Sequence, residues 1–429
     1  MGPRPVKTIL DNGVRIITHQ IPHVRSVSMG VWVNVGARDE TAQESGLSHF
    51  IEHMIFKGTA QRSAFQIAKE FDAIGGQTNA FTSMEHTCYH AKVLDTHLET
   101  MVRILSDIFL NSVFDAAEIE KERPVIFQEI GMVEDNPEEW VHQLASQNFW
   151  GDNPLGRSIL GTRENIVAFD ADKIKRFFRR LYQPNRIIVA AAGNLTHKQM
   201  VSLIANDFGS IQNQTKFPKR RTPRGRFRLQ FHHKPLEQVH ICMLLKGLSA
   251  ADPRRFTLSL LNTILGGNMS SRIFQRIREQ EGLAYTVYSF SNSHVDTGSM
   301  GVYTAVEDRN ASRAVALVLE ELARLVNELV SNTELRDAKE FIKGNLHLAA
   351  ESPDNQMVRV AQNEIYFGRD IPLETIIEGV EDVFADDICK LAGELLNPNN
   401  VSLTILGPER IKDAFSHRQS PHRANASAS

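Results

Sequence analysis

The chain carries the same order of strand, helix and glycine twice, and this repetition is what most limits the folds open to it. In residues 27–35, valine and methionine side chains at every second position alternate with Ser28, Gly30, Trp32 and Asn34 up to Gly36, which predicts a half-buried strand. The alternation returns in residues 239–245 and again ends at a glycine. An amphipathic helix closed by glycine follows each strand, at Gly46–Lys57 and at Phe256–Leu265. The two halves therefore begin alike.

The two halves also end alike. Residues 182–185 (YQPN) lead into the apolar strand 187–192, and residues 396–399 (LNPN) lead into the strand 401–406. Two matches in the same order, about 210 residues apart, favour a duplicated domain. A length of 429 residues also suits two domains better than one. Each half mixes strands with helices, so the fold class is α+β or α/β.

The domain boundaries follow from the repeat and from the composition between and after its halves. The segment between the two halves, residues 213–226, is rich in charge and proline, with K-R-R at 219–221. Such a composition is typical of a solvated, extended linker. The last residues are mostly Ser, His, Arg, Ala and Asn, which predicts disorder. We predict an N-terminal domain at residues 1–212, the linker at 213–226, a homologous C-terminal domain at 227–416 and the tail at 417–429.

The composition excludes several classes of function. Apolar residues make up 42% and charged residues 23% of the chain, which is ordinary for a globular protein, and the net charge is -3. That balance argues against nucleic acid as a partner, and the lack of a long apolar run argues against a membrane span. Three distant cysteines suggest neither a disulfide framework nor a CxxC metal site, so a reducing cytoplasm is expected.

The pentapeptide HFIEH at residues 49–53 carries the clearest chemical signal. On a helix, His49 and His53 lie one turn apart on the face opposite the apolar residues, with Glu52 between them in angle. Two imidazoles at this spacing reach one zinc ion, and the carboxylate is placed to act as a general base. The spacing favours a zinc site over a surface helix that happens to carry these residues.

A catalytic zinc needs a third protein ligand from elsewhere in the chain. The segment Ala117–Val133 offers four carboxylates, and periodicity does not choose among them. Two of the four lie seven residues apart, or two helical turns, and would face the same way. The four are Glu118, Glu120, Glu122 and Glu129, with the last two forming that pair.

Together these segments resemble the inverted-motif zinc peptidases of family M16, the pitrilysin and insulinase family. The resemblance rests on GLSHFIEHMIFKGT at 46–59, GGQTNAFTSMEHTCYH at 75–90 and GGNMSSRIFQRIREQEGLAY at 266–285, and it covers nearly the whole chain. It is strongest for the short two-domain members of bacteria and mitochondria, such as the processing peptidase β subunit. It implies that Glu129 is the third zinc ligand and that Glu122 is a carboxylate behind the ligands.

The resemblance also implies a fold and an assembly. The expected fold is α+β, with two homologous domains that are each a mixed, largely antiparallel sheet covered by helices. Two chains would close as a clamshell. Because the second repeat reads TLSLLN at 257–262 and has no HxxEH, each chain should hold one Zn²⁺.

The second half offers Arg278 and Tyr285 as donors to a peptide carbonyl and its developing oxyanion. Spacing alone favours a surface arginine and an ordinary strand tyrosine. The resemblance implies instead that the pair faces the zinc across an enclosed chamber, supplied by the partner chain of a homodimer with shared sites.

Residues 78–83 are expected to form the sheet edge that receives an extended peptide, with Asn79, Ala80 and Phe81 binding the substrate through the main chain. The predicted function is a zinc endopeptidase that hydrolyses unfolded peptides inside the dimer chamber. The alternatives are a non-catalytic scaffold of the same fold and a peptide-binding subunit. Without a recognisable leader, a bacterial cytoplasmic location is predicted over a mature chain in the mitochondrial matrix.

Overall fold

The protein is described here from a computed structural model, which covers residues 4–212, 217 and 219–415. The predicted disordered tail at 417–429 lies outside the described residues. The chain forms two compact units. Unit 1 contains Met1–Met132, Arg157–Arg221 and Gly344–Leu373, and unit 2 contains Val133–Gly156, Thr222–Lys343 and Glu374–Ser429.

The described strands follow the chain from β1 to β11. They are β1 Val6–Ile9, β2 Arg15–Gln20, β3 Ser26–Val33, β4 Gln77–Thr82, β5 Thr87–Leu94, β6 Ile187–Gly193, β7 Leu229–His233, β8 Gln238–Lys246, β9 Ala284–Ser293, β10 Gly298–Glu307 and β11 Ser402–Gly407.

The described α-helices alternate with these strands in groups. They are α1 Leu47–Met54, α2 Ala64–Ala73, α3 Leu98–Asn111, α4 Ala116–Asp135, α5 Pro137–Trp150, α6 Arg163–Val167, α7 Ala171–Leu181, α8 His197–Phe208, α9 Arg255–Gly266, α10 Ala311–Asn327, α11 Asn332–Ala350, α12 Pro353–Phe367, α13 Leu373–Glu381, α14 Ala385–Leu395 and α15 Ile411–Ala414.

Each unit holds one mixed sheet. The sheet of unit 1 has the order β1-β2-β6-β3-β5-β4, and only its β2–β6 pair is parallel. The sheet of unit 2 has the order β7-β11-β8-β10-β9, and only its β7–β11 pair is parallel. The strand order β6-β3-β5-β4 thus reappears as β11-β8-β10-β9. The predicted fold of two homologous, largely antiparallel sheets with helices is confirmed.

The prediction that β3 is half-buried is wrong, because both of its faces are covered. Val31 and its alternate neighbours pack in the main core of unit 1, while Trp32 lies in a second apolar cluster on the other face. That second face is closed by α12, whose Met357 accepts a hydrogen bond from the Trp32 indole (Nε1 to Sδ, 3.2 Å). A covering helix from 325 residues further along leaves no trace in the local alternation.

Helices α5 and α12 therefore cross the predicted domain boundary in opposite directions. Helix α12 belongs to unit 1, whereas α5 belongs to unit 2, where it packs on β8 and β11. The buried amide of Asn148 on α5 donates to the Thr404 hydroxyl on β11 (2.9 Å), which satisfies two polar groups inside that contact. The boundaries at 212 and 227 stay a prediction.

The prediction of a solvated linker is wrong at Arg220. Only 11% of its side chain is exposed, because the guanidinium binds both carboxylate oxygens of Asp39 (2.7 and 2.9 Å). A buried arginine needs such charge-assisted partners, and a bidentate carboxylate supplies two of them. The linker is therefore anchored to unit 1 at this residue.

Two further observations concern the cysteines and the possibility of a membrane-spanning helix. Cys88, Cys242 and Cys389 are free thiols, and the first two are buried. Within the described ranges, no helix combines the length and the apolar composition that crossing a bilayer requires.

Candidate metal centre

Helix α1 begins directly after a left-handed turn at Gly46. Gly46 has a φ of +100°, in the left-handed region that glycine adopts at little cost. The amides of Gly46 and Ser48 donate to the two carboxylate oxygens of Glu40 (2.8 and 2.7 Å). Backbone N–H groups in the first turn of a helix lack intrahelical partners, so this buried carboxyl satisfies two of them. Burial raises the pKa of Glu40 to about 8.

The two faces of α1 are as predicted. All its large apolar residues and the following Ile55 are fully buried, and they are Leu47, Phe50, Ile51, Met54 and Ile55. His49, Glu52 and His53 lie on the other side of the helix. The buried apolar face therefore anchors the helix in the core. This anchoring holds in place the opposite, chemical face, which carries His49, Glu52 and His53.

Helix α4 brings Glu129 to that chemical face. Its carboxylate oxygens lie 3.5 Å from His49 Nε2 and 3.5 Å from His53 Nε2. One donor atom from each of the three residues lies within 4.8 Å of the others. Nitrogen and oxygen atoms bound tetrahedrally to zinc at about 2.0–2.1 Å lie roughly 3.3–3.4 Å apart. The two 3.5 Å distances from Glu129 are close to this spacing, so the three residues are near enough to share one ion.

Two properties of these residues favour a metal over a simple ion pair. Burial, and then the charge of His53, lower the pKa of His49 to about 3, so this imidazole is neutral at ordinary pH, the form that binds metals. The buried Oε2 of Glu129 has no hydrogen-bond partner among the described residues. A buried carboxylate oxygen without a donor is costly unless a cation completes its surroundings.

A second layer of polar contacts holds His53. Its Nδ1 is 2.8 Å from Glu122 Oε1, and Lys57 Nζ is 2.5 Å from Glu122 Oε2. Burial alone would raise the pKa of Glu122, but the hydrogen bonds from Lys57 and His53 outweigh it and leave the pKa low. The ionised carboxylate fixes the ring of His53 with Nε2 directed at Glu129. Glu122 thus lies on the side of the His53 ring opposite Glu129, and its role behind a metal site stays a prediction.

Glu52 meets the end of strand β4. The Thr82 hydroxyl donates to Glu52 Oε2 (2.6 Å). Burial raises the pKa of Glu52 above its ordinary value, although the hydrogen bond from Thr82 works against the rise. A carboxyl group with a raised pKa is better matched to proton transfer near neutral pH.

The predicted substrate residues Asn79, Ala80 and Phe81 lie on β4, which is the outer strand of its sheet and, among the described strands, pairs with β5 alone. The Phe81 ring packs edge-on against Trp32, with ring centroids 5.4 Å apart. The side chain of Phe81 therefore serves the sheet, and the binding role predicted for the strand concerns its main chain.

Unit 2 brings Arg278 and Tyr285 together. The Arg278 guanidinium lies over the Tyr285 ring, 4.5 Å from its centroid, and also over the Phe274 ring at 4.8 Å. Tyr285 is 77% exposed at the start of β9, the outer strand of its sheet. The stacked pair presents a cation and a phenol to the surroundings.

Sequence reasoning missed three residues of this region, which are Lys57, Thr82 and Arg220. Lys57 carries a local signal, since it follows His53 by four residues and so lies on the same side of the helical segment. Thr82 and Arg220 carry none, because their partners are 30 and 181 residues away in the chain.

Comparisons with known proteins identify the family that the chain resembles. A family model described as Insulinase (Peptidase family M16) matches residues 15–163, and one described as Peptidase M16 inactive domain matches residues 168–342. A Bacillus subtilis protein named an uncharacterized zinc protease is 39% identical over 397 residues, covering 92% of this chain and 97% of that protein. A Streptomyces coelicolor protein named in the same way is 36% identical, covering 95% of this chain and 90% of its own length.

Solved structures extend the likeness to the fold. A crystal structure of a protease from Helicobacter pylori superposes with a TM-score of 0.87 at 21% identity, over 95% of this chain and 100% of that one. A Pseudomonas fluorescens structure described as a peptidase M16 inactive domain gives a TM-score of 0.88 at 17% identity, over 95% and 98% of the two chains. At such identities the agreement concerns the fold. The family and the names of its relatives support a metallopeptidase.

Proposed function

We propose that this chain, which belongs to peptidase family M16, is a zinc-dependent endopeptidase that hydrolyses unfolded peptides. The observation that carries the proposal is the meeting of His49, His53 and Glu129, whose donor atoms lie within 4.8 Å of one another. The second family model, described as an inactive domain, matches the half that lacks an HxxEH.

His49, His53 and Glu129 would hold one zinc ion per chain, with Glu122 orienting His53. A bound zinc ion supplies Lewis-acid chemistry, since it lowers the pKa of a water molecule and polarises a peptide carbonyl. Glu52 takes a proton from the attacking water and later delivers it to the leaving amine. Its raised pKa supports that double role, because the group must both accept and release a proton.

The substrate would lie along the outer edge of β4, where the main chain of residues 79–81 can bond to an extended peptide of any sequence. Arg278 and Tyr285 of a partner chain would steady the peptide and its oxyanion. This assignment makes the active form a clamshell homodimer with shared sites, as a two-fold interface allows. A bacterial cytoplasmic location stays a prediction, in keeping with the free cysteines.

The test is a comparison of zinc content and peptide cleavage in the full chain. The protein is stripped with a chelator, reloaded with zinc and incubated with an unstructured peptide, and the products are read by mass spectrometry. Glu52→Gln should keep zinc and lose at least about 100-fold in turnover, because it removes only the general base. His49→Ala should lose zinc as well as turnover.

Matched controls are the same substitutions at exposed positions, Glu99→Gln and His23→Ala, which should keep both properties. Cleavage by Glu52→Gln at the wild-type rate would remove the role given to Glu52. An intact peptide bound to the zinc-loaded wild type would favour the alternative, a scaffold or peptide-binding subunit.

A further inference from the structure

We propose that Thr82 is a positioning residue that orients the carboxylate of Glu52, and that Arg220 holds Thr82 in place. The inference rests on the proposed function, since it concerns the general base of that reaction. It adds to that function a chain of contacts from the linker between the repeats to the reacting carboxylate.

The contact between Thr82 and Glu52 is short and directed. The hydroxyl lies 2.6 Å from Glu52 Oε2, within the range of roughly 2.5–2.7 Å typical of an O–H donor on a carboxylate. Its other acceptor within reach, the Ser48 carbonyl, is 3.5 Å away, so Glu52 is the preferred partner. A glutamate side chain has several rotatable bonds, and this bond fixes the carboxylate by one oxygen.

Thr82 is itself held by a tight turn. It is the last residue of β4, and it is paired with Thr87 of β5. The Ser83 amide donates to the His86 carbonyl (2.8 Å), and the Ser83 hydroxyl accepts from the amides of Glu85 and His86 (3.3 and 3.1 Å). Residues 83–86 are thus locked by main-chain and side-chain bonds, and the hydroxyl of Thr82 is presented from a rigid hairpin.

Arg220 fastens this turn to the body of unit 1. The same guanidinium that binds Asp39 on both oxygens also donates to the Glu85 carbonyl (2.8 Å). The carboxylate of Glu85 accepts from Arg38 (2.6 Å), and the Arg38 amide donates to the Met84 carbonyl (2.8 Å). The planar guanidinium binds both oxygens of Asp39 and the Glu85 carbonyl together, a bidentate geometry that the compact ammonium group of lysine does not reproduce.

One element therefore serves two purposes. Strand β4 offers its free edge to a peptide, and its last residue orients the group that removes a proton from the attacking water. Loss of the Thr82 hydroxyl should disturb the second purpose and spare the first, so the effect should fall on kcat and not on KM.

The test begins with Thr82→Val, which keeps the shape of the side chain and removes the donor. The kcat for an unstructured peptide should fall about 10–100-fold, part of the factor that general-base catalysis supplies, with KM and the zinc dissociation constant unchanged. Thr82→Ser should restore most of the rate. The matched control is Thr96→Val at an exposed position after β5, with wild-type kinetics expected.

The second arm uses Arg220→Lys, which keeps the charge and loses the fork. In the metal-free chain, hydrogen exchange at the amides of residues 83–86 should become faster. In the zinc-loaded enzyme kcat should fall severalfold, and the loss should vanish in a Thr82→Val background, because Arg220 acts through Thr82.

The outcomes separate this inference from the function on which it rests. A wild-type chain that never cuts peptides when loaded with zinc refutes the proposed function. An active wild type with an equally active Thr82→Val variant refutes the positioning role of Thr82. Losses that multiply in the double variant, or unchanged exchange in Arg220→Lys, refute the part played by Arg220.

Discussion

Helices α1 and α9 occupy equivalent places in the two repeats and differ in what they do with their outer face. Both bury an apolar face in the core of their own unit. In α1 the other side carries His49, Glu52 and His53, whereas α9 reads RFTLSLLNTILG and has neither histidine nor carboxylate. Both helices follow the corresponding strand of their sheet, so the difference lies in their side chains: α1 carries two proposed metal ligands and the proposed base, and α9 carries none of them.

The outer hairpins differ in a complementary way. In unit 1, β4 ends at Thr82 beside the candidate base. In unit 2, Tyr285 at the start of β9 stacks with Arg278 from the preceding helical segment Phe274–Gln280. A duplicated fold thus carries the candidate metal ligands in one copy and the candidate oxyanion donors in the other. This division means that each repeat alone would be incomplete.

The strongest test of that division is complementation between two damaged chains. His49→Ala removes the metal side and Arg278→Ala removes a donor, and each variant alone should lose at least about 100-fold in activity. If sites are shared across a two-fold dimer, an equal co-expressed mixture should recover about a quarter of the wild-type rate, since half the dimers hold one complete site. The measurement is peptide cleavage by the purified mixture.

The control mixture pairs His49→Ala with Glu52→Gln. Both lesions lie in the first repeat, so no dimer holds a complete site and no recovery is expected. Recovery in neither mixture, with dimers present, would show that each chain contains its own whole site.

A second comparison asks whether the two helices matter equally for folding. Phe50 on α1 and Leu261 on α9 are both fully buried. Their alanine variants should lower the free energy of unfolding by about 3–5 and 2–5 kcal/mol respectively, from lost burial and the cavity left behind. Only Phe50→Ala should also weaken zinc binding, because α1 carries two ligands. Equal zinc affinity in both variants would contradict the role given to α1.

The two hairpin turns offer a third comparison. They share a backbone bond, from Ser83 N to His86 O (2.8 Å) and from His294 N to Thr297 O (2.8 Å). His86 is buried, and burial, with the charge of Arg220, lowers its pKa to about 4 from an ordinary 6.5. The folded state thus disfavours the protonated ring.

The lowered pKa of His86 makes the folded state less stable as the pH falls. Above pH 6.5 the ring is neutral in both states, and the stability is fully present. As the pH falls from 6.5 to 4, the unfolded chain takes up the proton first, and about 3 kcal/mol of stability is lost. Urea titrations of wild type and His86→Phe should differ by a constant above pH 7 and diverge below pH 6.5. Parallel curves down to pH 4 would contradict the burial argument.

Much of the candidate site could be predicted from the sequence because its signals are local. The 3.6-residue period placed the buried and chemical faces of α1, and the seven-residue spacing put Glu122 and Glu129 on one side of α4. The choice of Glu129 over the other carboxylates did not come from periodicity, and it needed the family resemblance.

What could not be predicted depends on contacts distant in the chain. The burial of Trp32 depends on α12, and the burial of Arg220 depends on Asp39, far away in the chain. A run of basic residues between two repeats is ordinarily solvated. Only the folded structure places the buried carboxylates of Asp39 and Glu85 beside Arg220. The same holds for Thr82, which contacts Glu52 only because the fold brings together two residues that are 30 positions apart.

The smallest expected effect concerns a difference inside the metal centre itself. His53 is held from behind by Glu122 and Lys57, whereas the buried Nδ1 of His49 has no hydrogen-bond partner among the described residues. Lys57→Met should therefore weaken zinc binding severalfold, less than the roughly 10–100-fold typical for loss of a direct partner of a metal-binding histidine, because Lys57 acts through Glu122. Lys57→Arg, which keeps a donor for Glu122, should stay near the wild type. Competition with a chelating dye measures the affinity, and Lys69→Met at an exposed position is the matched control. An unchanged affinity in Lys57→Met would mean that Glu122 alone holds His53, and that the lysine adds only surface charge.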